Sequence, residues 1–167
     1  MTSQKSPWRE AVVYQIYPWT FYEDEERKPQ LGHGSIRGIT KKLPYLKNDL
    51  EVDALWLSPF YPSPMIDGGY DISDMVNVHP DLGTLKDFDE LVAASHEYGI
   101  RLMVDFIPNH TSDQHEWFQK SRRREDDYDD WYIWHPGVVD RQGNRRPPNN
   151  WACVFSIPQK KARERGE

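Results

Sequence analysis

The residues able to do chemistry gather in two stretches. Asp105, Asn109 and His110 lie within six positions, and Asp67-Gly68-Gly69-Tyr70-Asp71 places an acid, an aromatic and a second acid around two glycines. A Tyr beside a carboxylate is in principle a sugar-binding pair: the ring stacks on a pyranose face and the acid accepts hydroxyl bonds. The plain alternative is a tight glycine turn with a packed Tyr. Asp105 either holds a polar substrate or bonds to loop N–H groups, and by position alone both readings stand. His110 and His115 flank Asp113, but their five-residue separation fits neither a helical His-x-x-x-His pair nor compact zinc spacing. The sequence has no glycine-rich phosphate loop and no Gly-x-Ser-x-Gly elbow. Cys153 has no catalytic signature and reads as a small buried hydrophobe. The run Arg122–Arg124, followed by Glu125, Asp126 and Asp127, reads as a solvated charged face.

Three apolar runs position these stretches. Ala11–Tyr17, Asp53–Pro59 and Ile100–Phe106 are rich in β-branched, aromatic and aliphatic residues and read as buried strands. Between the first two, Ile36, Ile39, Leu43, Leu46 and Leu50 fall at helical spacing, although Gly38 and Pro44 argue against one regular helix. Between the second and third, Thr84–Gly99 is the clearest helix. Thr84 and Asp87 form a capping-box pattern, Leu85, Phe88, Leu91, Val92 and Ser95 share a face, and Gly99 sits at the C-terminal end. Strand, helix, strand, helix, strand implies a parallel sheet with crossover helices. In such sheets ligands bind beyond the C-terminal ends of the strands, which is where Asp105 falls. From residue 107 the sequence is polar, aromatic and aperiodic, with a short helix expected over Asp113–Arg124. So long an irregular stretch suggests a binding loop or small inserted domain.

Composition limits the partners. In 167 residues, 27 acidic against 21 basic side chains leave a net charge of −6, which argues against nucleic acid or an anionic membrane surface. Seven Trp and nine Tyr suit both core filling and stacking, and the aromatic content is too high for a disordered chain. A single cysteine excludes an internal disulfide framework and fits a reducing compartment. The polar opening MTSQKSPWRE has no apolar signal-peptide stretch, and no run approaches the ~20 apolar residues of a membrane span. The expectation is a soluble, cytoplasmic protein.

The stretches AVVYQIYP, DALWLSPFYPSPMIDGGYDISD, RLMVDFIPNHTSDQHEWFQKS, YIWHP and PPNNW together resemble the α-amylase family, glycoside hydrolase family thirteen, and within it the α-glucosidase and oligo-1,6-glucosidase group. The resemblance implies the N-terminal part of a (β/α)₈ barrel, about three strands, plus the start of the domain inserted after strand three. The expected organisation is barrel over 1–106, inserted domain over 107–155 and a charged tail over 156–167. It implies that Asp67 and Tyr70 hold a terminal glucose, that His110 bonds hydroxyls of the same sugar, that Asp105 and Asn109 support that site, and that Phe155 lines the pocket. The implied ligand is an α-linked oligosaccharide, with no cofactor.

Two departures from the group bear on mechanism. Its acidic metal loop after the first strand is replaced by FYEDEERKPQLGHGSIRGI, without the ligand spacing, so no calcium or magnesium is expected there. After VFS the chain continues as IPQKKARERGE. The resemblance implies that the family's nucleophile, general acid and third acid lie on strands four, five and seven, beyond this sequence. Asp67, Asp71, Asp74 and Asp105 are therefore expected to bind or support, and the chain by itself to be inactive and dependent on the remaining half of the barrel. A transglycosylase or isomerase acting on sucrose or maltose, and a non-catalytic carbohydrate-binding remnant, are the alternative readings.

Overall fold

A computed structural model describes residues 8–24 and 32–150. The three apolar runs form strands β1 (Val13–Ile16), β2 (Ala54–Leu57) and β3 (Arg101–Val104), paired in parallel in the order β1-β2-β3. The register is level: Ile16, Leu57 and Val104 stand side by side at the C-terminal ends. Ser58 N–H donates to the Ile16 carbonyl at 2.9 Å and Asp105 N–H to the Leu57 carbonyl at 3.1 Å, so the ladder runs one residue further and Tyr17, Ser58 and Asp105 share one rim.

Alternation sorts the sheet into two faces. Ile16, Leu55 and Leu57 lie on the face covered by helices α2 (Ile36–Asn48) and α3 (Leu85–Glu97), in a core with Ile36, Ile39, Leu43, Leu46, Leu91 and Ile100. The other face carries Val13, Gln15, Trp56 and Met103; Val13 and Trp56 are exposed, as are Val104 and Phe106 at β3. Among the described residues, β1 and β3 each have an unpaired edge.

α2 is one continuous helix, against the expectation from Gly38 and Pro44. Pro44 removes one backbone donor, yet the helix buries Leu43 and Leu46 on either side of it, and that burial outweighs the missing bond. Gly38 is there for space. A Cβ at this position would lie 2.0 Å from the Tyr22 carbonyl, where the preceding loop crosses the helix. That loop includes a one-turn helix, α1 (Pro18–Phe21), which Pro18 starts from its first position. Ser35 caps α2 by accepting from Gly38 N–H at 3.0 Å. α3 has the expected capping box: Asp87 N–H donates to Thr84 Oγ1, and Thr84 N–H to Asp87 Oδ2 at 2.7 Å.

Past β3, α4 (Glu116–Arg123) falls within the expected helical piece and is followed by a 3₁₀ turn over Asp126–Tyr128. The compact unit that holds the sheet extends to Trp131, and a second unit begins at Tyr132. In the second unit β4 (Val138–Val139) and β5 (Arg145–Arg146) form an antiparallel hairpin. Its turn is held by Asp140 Oδ1, which accepts from Gln142 and Asn144 N–H, with Gly143 at positive φ.

Candidate sugar-binding site

Tyr70 and Asp105 come from different loops and meet at the sheet rim. The Tyr70 hydroxyl donates to Asp105 Oδ2 at 2.9 Å. Asp105 Oδ1 accepts from the Trp56 indole N–H at 2.5 Å, and the Asp105 carbonyl from the Tyr61 hydroxyl at 3.2 Å. Both carboxylate oxygens thus hold a donor, which anchors Asp105 at the rim. Partial burial, then the bond to this carboxylate, hold the Tyr70 phenol above its ordinary range, because ionising it would set a second negative charge beside the first. Burial and the Asp105 charge raise Tyr61 in the same way.

His110 reaches the same place. Its Nε2 lies 3.2 Å from the Tyr70 carbonyl and its Nδ1 3.2 Å from Asn109 Nδ2. The Asn109 amide nitrogen can only donate and the Tyr70 carbonyl can only accept, so the bonds assign the proton to Nε2. Asp67 follows from the turn: its carbonyl accepts from Tyr70 N–H at 3.0 Å, while its half-exposed carboxylate makes no hydrogen bond among the described residues. Tyr70, Asp105, Asn109 and His110 are therefore brought together, with Asp67 adjoining Tyr70. Phe155 lies outside the described residues.

The other acids are committed locally. Asp71 closes the loop on itself, accepting from Ser63 Oγ at 2.7 Å, Ile66 N–H at 2.9 Å and Asp67 N–H at 3.1 Å. Asp74 accepts from Val76 N–H and Asn77 Nδ2. Asp24, in the charged stretch after β1, is buried between Arg37 Nε at 2.9 Å and Lys41 Nζ at 2.7 Å. Four participants escaped the sequence reading, among them Tyr61, which carried no signal. Trp56 had a signal: period-two alternation sets it opposite Leu55 and Leu57, hence on the Asp105 face. Ser63 and Tyr17, whose hydroxyl donates to the Gly68 carbonyl at 3.0 Å, had none.

His115 is no partner of His110. It is buried at the start of α4, where its Nδ1 accepts from Trp117 N–H at 3.1 Å and caps the helix. Among the described residues no three His, Cys, Asp or Glu side chains gather as a metal-ligand set. Burial holds the His115 imidazole below its ordinary 6.5, with Asp74 and Glu116 pulling partly the other way. The unfolded chain therefore takes this proton more readily. The stabilisation from neutral His115 is fully present above about pH 6.5 and is lost as the pH falls through the window below it. The urea midpoint should drop between pH 7.5 and pH 5, and His115→Asn, which keeps a capping oxygen, should flatten part of that drop. Parallel losses in both proteins would contradict this.

Residues 15–164 match the alpha-amylase catalytic domain. The chain belongs to the alpha-amylase family. Its three-stranded sheet is accordingly the N-terminal part of a (β/α)₈ barrel, and the Tyr70–Asp105–His110 cluster stands on the rim where such barrels bind ligands. This amylase-family chain is 50% identical to maltase 1 of Drosophila virilis over 149 residues, covering 89% of this chain and 23% of that protein. It is 47% identical to oligo-1,6-glucosidase of Bacillus cereus over 154 residues, 92% of this chain and 26% of that protein. Among solved structures, trehalose-6-phosphate hydrolase of Bacillus licheniformis superposes with a TM-score of 0.77 at 44% identity, covering 89% of this chain and 25% of that one. The trehalulose synthase MutB with its substrate sucrose gives a TM-score of 0.76 at 45% identity, covering 87% and 25%. The chain thus spans about a quarter of the length of these relatives.

Proposed function

We propose that this chain is the sugar-binding N-terminal portion of an α-glucosidase-like glycoside hydrolase that acts on short α-linked oligosaccharides by a retaining mechanism. The observation that carries the reading is the convergence of Tyr70 and His110 on one rim, with the free Asp67 carboxylate beside them. Tyr70 offers an exposed ring to a terminal glucose, and Asp67 accepts its hydroxyl bonds. His110 donates through Nε2, a sugar oxygen taking the place of the Tyr70 carbonyl. A retaining hydrolase needs one carboxylate to attack and a second, ~5–5.5 Å away, to protonate the leaving oxygen. Asp105, Asp71 and Asp74 already accept from neighbouring donors, which supports assigning attack and protonation to later strands and a chain that is inactive alone. The likeness to trehalulose synthase favours, as a second reading, a sucrose- or maltose-isomerising enzyme with the same glucose site. We place the protein in the cytoplasm on its single cysteine; no helix among the described residues is long and apolar enough to cross a membrane.

The test has two arms. Purified 1–167 should bind maltose in saturation-transfer NMR and lose that signal in Tyr70→Ala. It should not turn over an aryl α-glucoside above background. Turnover that vanishes on Asp105→Asn would place a working catalytic acid in this chain and overturn the assignment to later strands.

A further inference from the structure

The Tyr70 ring can stack on a sugar only if it is held at a fixed angle, and its hydroxyl, which also bonds with Ser58, donates to a carboxylate that would itself rotate if unsupported. Asp105 follows the last paired residue of β3, which has one partner strand among the described residues, and its neighbour Phe106 is exposed. One group restrains its second oxygen, the indole N–H of Trp56. Trp56 pairs with Met103, two residues before Asp105, so both side chains leave the sheet on the same face. The indole ring reaches up to the rim and presents a single donor at its edge. It does so with only two torsions to fix, where Lys or Gln would have to order a longer chain. The ring is partly open, 39% of Trp56 being exposed among the described residues.

We infer that Trp56 is a positioning residue that works through Asp105: its N–H fixes the carboxylate, and the carboxylate fixes the direction of the Tyr70 ring. Tyr61 completes the clamp by holding the Asp105 carbonyl. The inference rests on the reading of Tyr70 as the ring that stacks on the sugar. What the site requires of residue 56 is the donor, not the volume.

The experiment separates donor from volume. Trp56 is replaced by benzothienylalanine, which keeps the bicyclic shape and has sulfur in place of N–H, and in a second protein by Phe. Ionisation of Tyr70 is followed by NMR on ring-labelled tyrosine in the 167-residue chain, with Asp105→Asn as reference. Tyr70 should titrate lower in Asp105→Asn, and lower also in both Trp56 variants, while the benzothienyl protein keeps the native melting temperature. Its maltose dissociation constant should rise about fivefold, the weight of one hydrogen bond, and in the Asp105→Asn background the same replacement should add no further rise. A Tyr70 titration that moves in Asp105→Asn and stays put in both Trp56 variants would reduce Trp56 to a space filler. A titration unmoved in Asp105→Asn would remove the Tyr70–Asp105 bond and the clamp with it. The sugar reading fails separately, if Tyr70→Ala alone leaves maltose binding unchanged.

Discussion

Leu57→Ala should lower the melting temperature by about 10 °C or more. Leu57 sits at the end of the central strand, is fully buried, and packs in the core formed by the sheet, α2 and α3. Truncating a buried leucine to Cβ costs about 3–5 kcal/mol when neighbours cannot close the cavity. Closure is blocked here because Leu57 is also pinned through its backbone, its carbonyl accepting from Asp105 N–H. That loss is a large share of the ~5–15 kcal/mol that holds a domain folded. Each kcal/mol moves the midpoint by roughly 2–4 °C at this chain length. Val104→Ala is the internal control: it stands beside Leu57 in register but is 41% exposed, so its loss should be well under half as large. Equal shifts in circular dichroism melts would show that the burial of Leu57 does not set its contribution.

Gly38→Ala sets two effects against each other. In an ordinary helix interior the change stabilises by about 1 kcal/mol. At this position the new methyl would lie 2.0 Å from the Tyr22 carbonyl oxygen, a main-chain atom with no rotamer to change. Overpacking of this kind costs about 3 kcal/mol, so the clash wins and the melting temperature should fall by roughly 4–8 °C. The strain also has a structural reading. The loop must lift, and with it the bond from Ser35 N–H to the Tyr22 carbonyl, now 3.1 Å. A stabilised Gly38→Ala protein would mean that the loop slides freely over α2.

The parts of the fold legible in the sequence are those governed by long periodic patterns. AVVYQIY, DALWLSP and IRLMVDF each contain their strand, and the Thr84–Asp87 box marks the start of α3. The continuity of α2 through Pro44 was not legible, because local propensity argues one way and burial of Leu43 and Leu46 the other. The β4–β5 hairpin escaped because two-residue strands carry no alternation to read. At the site, Asp67, Tyr70, Asp105, Asn109 and His110 were named from motif and strand-end position. What no spacing could give was the division of labour among the acids. Asp67 and Asp71 flank the same two glycines, yet the loop turns one inward onto three donors and leaves the other free.

The Asp71 bonds have a consequence for affinity. With Ser63, Ile66 and Asp67 tied to one carboxylate and Gly68 tied to Tyr17, the segment that bears Asp67 and Tyr70 is ordered before any ligand arrives. Fixing a residue's backbone forfeits ~1–2 kcal/mol of conformational entropy, and for this loop that loss is charged to folding. A sugar reaching it meets a preorganised surface, so the weak bonds between hydroxyls and a stacked ring can appear almost undiminished in the dissociation constant.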